Sequence, residues 1–132
     1  MGGVDKGLVA LQNKPLIQHV INRLTPQADE IIINANREIA QYQTFGLAVL
    51  HDTNEDYIGP LAGISLGLQH AQHEYVLTVP CDSPLLPLDL AQRLLSALGK
   101  NEADLPLQVA MATRIQYFVY AKKVYCLAYL RI

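Results

Sequence analysis

Apolar positions along the chain switch repeatedly between a three-to-four-residue spacing and unbroken runs, the pattern that amphipathic helices and buried strands leave in turn. After a short apolar run, Leu8 to Leu11, the segment Gln12-Asn13-Lys14-Pro15 is expected to open a helix, in which Leu16, Ile17, Val20, Ile21 and Leu24 share one face. Pro15 stands near the first helical position, where a missing N–H is tolerated, and Pro26 closes the segment. Glu30-Ile31-Ile32-Ile33-Asn34 then reads as a strand with almost no alternation, hence one covered on both faces, as in a parallel sheet. The cycle repeats with a strand at Leu47-Ala48-Val49-Leu50, a polar loop from His51 to Gly59 and a helix from Pro60 to Gln72. A strand from Tyr75 to Val79, a loop from Pro80 to Pro87 and a helix from Leu88 to Leu98, with Leu90, Leu94 and Leu95 on one face, follow. This alternation predicts an α/β protein, a three-layer α/β/α sandwich around a doubly wound, mostly parallel sheet. Such sheets bind ligands beyond the carboxyl ends of their strands. Asn34, Asp52 and Asp82 each lie at or just past a strand end and are expected to face one crevice.

Length and charge narrow the function. A chain of 132 residues supports one domain and one core. With 51% apolar and 17% charged residues and no apolar run of membrane-spanning length, it reads as a soluble protein. The opening Met-Gly-Gly-Val-Asp-Lys-Gly lacks the basic-then-apolar order of a secretion signal, and Cys81 and Cys126 form no CxxC pair, so a cytoplasmic setting is expected. A formal net charge of −2 argues against a nucleic-acid partner, and nothing points to a membrane. Residues 105–132 differ in carrying Arg114, Lys122, Lys123 and Arg131, no acid, and four of the 7 tyrosines. This basic, tyrosine-rich tail is expected to supply a final strand and helix.

Four segments carry candidate chemistry. In Gly2-Gly3-Val4-Asp5-Lys6-Gly7 the glycines let backbone N–H groups turn toward phosphate oxygens and Lys6 adds a positive point charge, although a lysine among glycines also suits plain solvated surface. In Val79-Pro80-Cys81-Asp82-Ser83-Pro84 an aspartate is fixed between prolines just after a buried strand, a hard oxygen donor of the kind magnesium takes, or simply a turn residue. Asn34-Ala35-Asn36-Arg37 and His51-Asp52 place an amide and a carboxylate at neighbouring strand ends, able to meet the mixed edge of a base or the hydroxyls of a ribose. Tyr57-Ile58-Gly59-Pro60-Leu61-Ala62-Gly63 leads small residues into a helix N-terminus, a ready anion site.

Taken in order, GGVDKG, KPLIQHV, IIINANR, HDTNEDYIGPLAG and VPCDSPLLPLDLAQRL resemble the molybdenum cofactor guanylyltransferase (MobA) family over residues 1 to 100. The resemblance implies a nucleotide-binding α/β fold of the nucleotide-diphospho-sugar transferase kind. It implies transfer of GMP from GTP to molybdopterin with release of pyrophosphate, Mg²⁺ as cofactor, and GTP, molybdopterin and molybdoenzyme-maturation proteins as partners. By the same resemblance Lys6 matches the phosphate-binding lysine, Gly3 the end of the glycine-rich loop, Asn34 and Asp52 nucleotide-binding positions, Gly63 a functional glycine and Asp82 the magnesium ligand. The family opens with a strand and an LAGG loop and continues into an NxN region; the chain begins after the former and its tail does not follow the latter. The expectation is therefore a partial domain with little turnover, its exposed sheet groove covered by the tail. A cytidylyltransferase or sugar-phosphate nucleotidyltransferase, and an inactive nucleotide-binding fragment, are the alternatives.

Overall fold

A computed structural model describes residues 3–51, 69–70, 75–101 and 124–130. After a 3-10 turn at Lys6–Leu8 come strands β1 (Ala10–Leu11) and β2 (Lys14–Pro15), helix α1 (Leu16–Leu24) and a second 3-10 turn at Thr25–Gln27. Strand β3 (Glu30–Ala35), the short helix α2 (Ile39–Gln43), β4 (Ala48–Leu50), β5 (Tyr75–Pro80), α3 (Leu90–Asn101) and β6 (Val124–Leu130) complete the order.

The helix expected from the 3.6-residue repeat is α1, and Ile17, Val20, Ile21 and Leu24 are its buried residues. Its start differs from the sequence reading. Gln12 and Asn13 have φ of 51° and 63°, and they turn β1 back onto β2 in a two-residue hairpin rather than opening the helix. Two successive positive φ values match the right-handed twist of a hairpin, and asparagine tolerates that region better than most residues. Pro15 thus becomes the N-cap and Leu16 the first helical residue. Helix α2 was not visible in the apolar spacing; it starts from Glu38 in the left-handed region, φ 49°, and buries only Tyr42. Of the helix expected at 60–72 only Gln69 and His70 are described, and both are helical.

Among the described residues the main sheet has four strands in the order β4-β3-β6-β5. The α/β fold is as expected: β3 and β4 are parallel, and β5 runs with them, since both β3 and β5 are antiparallel to β6. The tail strand β6 fills the position between β3 and β5, and so it covers both of their facing edges, as anticipated for the tail. Its register places Tyr125 opposite Asn34 on one side and Pro80 on the other.

Strand β3 is half-buried at Glu30 and Ile31 and buried from Ile32 to Ala35, consistent with cover on both faces. Alternation gives Ile31, Ile33 and Ala35 one face and Ile32 and Asn34 the other. The first face packs into a core that contains Ile17, Val20, Leu24, Tyr42, Leu77, Val79, Cys81 and Leu90. No helix among the described residues is long and apolar enough to cross a membrane.

Candidate functional site

Backbone pairing brings the ends of the three parallel strands into one row. Leu50 pairs with Asn34, Asn34 with Tyr125, and Tyr125 with Pro80. Residues paired across a sheet point to one face, so Asn34 and Pro80 share a face and stand about 10 Å apart, two strand spacings. Beyond that row the chain runs into His51, into Ala35 and Asn36, and into Cys81 and Asp82. Asn34 and Asp82, the described residues expected at strand ends, therefore lie at the same end of the sheet. Asp52 and Gly63 lie outside the described residues.

Asn34 is 2% exposed, and its side-chain Oδ1 is buried without a hydrogen-bond partner among the described residues. A sealed carbonyl oxygen left unpaired costs about 1–3 kcal/mol, which a strand end tolerates where a ligand donor supplies the missing bond. Asp82 is half-buried in the turn that follows β5. Pro80 ends the β5 ladder because it has no N–H to contribute.

The loop after Asp82 is held from a distance. Arg23 Nη1 donates to the Leu86 carbonyl at 2.9 Å and Gln27 Nε2 to the Pro87 carbonyl at 2.9 Å. Gln27 Oε1 accepts from the Ala91 N–H at 3.0 Å, satisfying one of the free donors in the first turn of α3. Local sequence gives no sign of Gln27 in this role, because a side-chain cap supplied from another element leaves no spacing pattern.

The glycine–lysine segment reaches the same end of the sheet. Asp5 is the N-cap of the first 3-10 turn, accepting from the Gly7 N–H at 3.3 Å, and the same Oδ1 accepts from the Tyr42 hydroxyl at 2.7 Å. Gly7 is buried, and a Cβ built on it would lie 2.7 Å from Tyr42 Oη and 3.1 Å from Cys81 Cβ. Only glycine permits that approach. Lys6 is therefore one residue from a direct contact with the residue preceding Asp82, and its own side chain is exposed. Gly3 is exposed, with open space around it. Among the described residues no ion pair engages Lys6 or Asp82.

The MobA-like NTP transferase domain matches residues 1–131 of the chain. Among curated proteins, the molybdenum cofactor guanylyltransferase of Shewanella sediminis (strain HAW-EB3) is 53% identical over 105 residues, 80% of this chain and 54% of its own length. That of Polynucleobacter asymbioticus is 47% identical over 127 residues, 96% of this chain and 62% of its own length. The chain thus spans little more than half the length of the curated relatives it matches.

Proposed function

This chain belongs to the MobA-like NTP transferase domain family, and from that premise we propose that it takes part in transfer of GMP from GTP to molybdopterin. A terminal phosphate oxygen of molybdopterin forms a bond to the α-phosphorus of GTP. The bond from that phosphorus to the bridging oxygen breaks, and pyrophosphate leaves with the electron pair.

The observation that carries this reading is the orphaned Asn34 Oδ1, buried in the row that ends at Pro80, two residues before Asp82. A fixed carbonyl oxygen accepts from a base amino or imino group or from a ribose hydroxyl. Asp82 stands in the turn directly after Pro80, which shares a face with Asn34, so nucleoside and phosphates would meet at one end of the sheet. Asp52 and Gly63 are proposed as further nucleotide contacts and Gly3 as the end of the phosphate loop. Lys6 is proposed to draw the triphosphate in and to offset the charge of two approaching polyanions, which makes positioning the main catalytic contribution.

Magnesium takes hard oxygen donors, usually one or two carboxylates, with phosphate and water filling the rest. The described residues contain no group of three or more His, Cys, Asp or Glu suited to a metal, whereas Asp82 offers one carboxylate on a tethered loop. That donor set fits Mg²⁺ shared with a triphosphate, and Asp82 would hold it. The ion would supply charge neutralisation at the phosphates. GTP and molybdopterin are the proposed substrates, molybdoenzyme-maturation proteins the proposed partners, and the cytoplasm the proposed setting.

Calorimetric titration of the chain with GTP and with CTP, each with Mg²⁺, tests the nucleotide assignment, and pyrophosphate release with GTP and molybdopterin tests the reaction. GTP is expected to bind more tightly. Preference for CTP, or binding of neither, overturns the reading.

A further inference from the structure

We propose that Tyr42 is a positioning residue for Lys6, acting through Asp5 to leave the lysine ammonium unpaired and available to a nucleoside triphosphate. The inference deepens the reading of Lys6 as a phosphate-binding group and rests on it.

Asp5 and Lys6 are adjacent, and a carboxylate beside an ammonium at a surface loop is the nearest competitor to any phosphate. In this structure the Asp5 carboxylate is turned away from that role. Its Oδ1 takes the Tyr42 hydroxyl at 2.7 Å and the Gly7 N–H at 3.3 Å, and among the described residues neither Asp5 nor Lys6 enters an ion pair. At 2.7 Å the first bond is a well-formed O–H···O hydrogen bond, and a carboxylate acceptor places it in the stronger, charge-assisted class. The donor itself is rigidly placed. Tyr42 is fully buried, its backbone N–H donates to the Glu38 carbonyl at 3.1 Å, and its ring lies 6.4 Å from that of Phe45. Gly7 closes against both Tyr42 Oη and Cys81, so the hydroxyl also sets how near the turn comes to the strand end that carries Asp82. Ring packing alone would be met by phenylalanine; only the hydroxyl reaches Asp5.

In Tyr42→Phe the ring stays packed but Asp5 loses its buried donor, swings outward and pairs with Lys6. The test is a double-mutant cycle on Mg²⁺–GTP binding with Tyr42→Phe, Lys6→Ala and the pair, together with hydrogen exchange of the Gly7 amide without nucleotide. Tyr42→Phe is expected to weaken GTP about tenfold, the scale of one hydrogen bond to a charged group, and to speed Gly7 exchange while the α1 amides keep theirs. In the Lys6→Ala background the same change is expected to cost less than about twofold, because coupled groups are non-additive. An equal loss in both backgrounds, or unchanged Gly7 exchange, overturns the positioning role while leaving the phosphate reading standing. Lys6→Ala binding GTP as the unaltered chain does, or no GTP binding by that chain, removes the phosphate reading and this inference with it.

Discussion

Gly7 and Cys81 meet so closely that a Cβ on Gly7 would lie 3.1 Å from Cys81 Cβ, and 2.7 Å from the Tyr42 hydroxyl behind it. Cys81 is 1% exposed and Tyr42 is fully buried, so neither has room to retreat. Gly7→Ala is expected to destabilise the chain by about 1–3 kcal/mol, the usual cost of overpacking, and to lengthen the Tyr42–Asp5 bond. Denaturant unfolding gives the first number, and the Asp5 carboxylate resonance in carbon-detected NMR reports the second. Wild-type stability in Gly7→Ala would mean that the turn is not seated against β5.

Asn34 is expected to behave in the opposite sense. Its buried Oδ1 has no partner among the described residues, and an apolar side chain of similar volume removes that unmet acceptor. Asn34→Leu should therefore leave the unfolding midpoint unchanged or raise it, while weakening GTP at least about tenfold, as removal of a buried polar contact to ligand does. Such a trade of stability for binding marks a site residue. Loss of stability together with unaltered GTP affinity would make Asn34 structural.

Asp82→Asn keeps shape and removes charge from a half-buried turn position. The fold should persist, with the unfolding midpoint close to that of the unaltered chain. GTP binding should lose its dependence on Mg²⁺, and turnover in the complete reaction should fall by about 10² or more, as expected when a metal-held phosphate loses its anchor. Retained magnesium dependence would take the ligand role away from Asp82.

The hairpin between β1 and β2 turns on Gln12 and Asn13, both at positive φ. Asparagine followed by glycine suits such a turn best, so Gln12→Asn with Asn13→Gly is expected to stabilise the chain by about 0.5–1 kcal/mol. Thermal unfolding measures it, and a drop in midpoint would show that the hairpin is not retained.

Much of this was legible because the signals were local. The spacing of Ile17, Val20, Ile21 and Leu24 dictates α1, and three successive isoleucines dictate β3, since each pattern reports burial through side-chain geometry alone. The topological rule for α/β sheets then placed Asn34 and Asp82 at one end of the sheet. Helix α2 escaped because five residues that bury a single side chain produce no period. The hairpin escaped because its turn lacks glycine. The tie from Tyr42 to Asp5 spans 37 positions, and nothing near either residue marks it. A closing strand in the tail was expected, but its direction was not, because strand pairing is decided by partners remote in sequence.

That closing strand yields the last prediction. Strand β6 pairs with β3 through Glu30 to Ala35 and with β5 through Tyr75 to Pro80, so it is the central seam of the described sheet. Every N–H along it points to one neighbour or the other, which leaves no position where proline is harmless. Leu127 pairs with Ile32 on one side and Thr78 on the other. Leu127→Pro removes a ladder bond and forces its ring into the seam, at a cost of about 3 kcal/mol or more. The edges of β3 and β5 would then lie open, and unpaired parallel strands recruit further chains. The expected outcome is a large fall in the unfolding midpoint by circular dichroism, with higher-order species in light scattering that grow with concentration. If Leu127→Pro instead unfolds at the same midpoint and stays monodisperse, β6 does not hold β3 to β5, and the strand ends bearing Asn34 and Asp82 must be brought into register by something else.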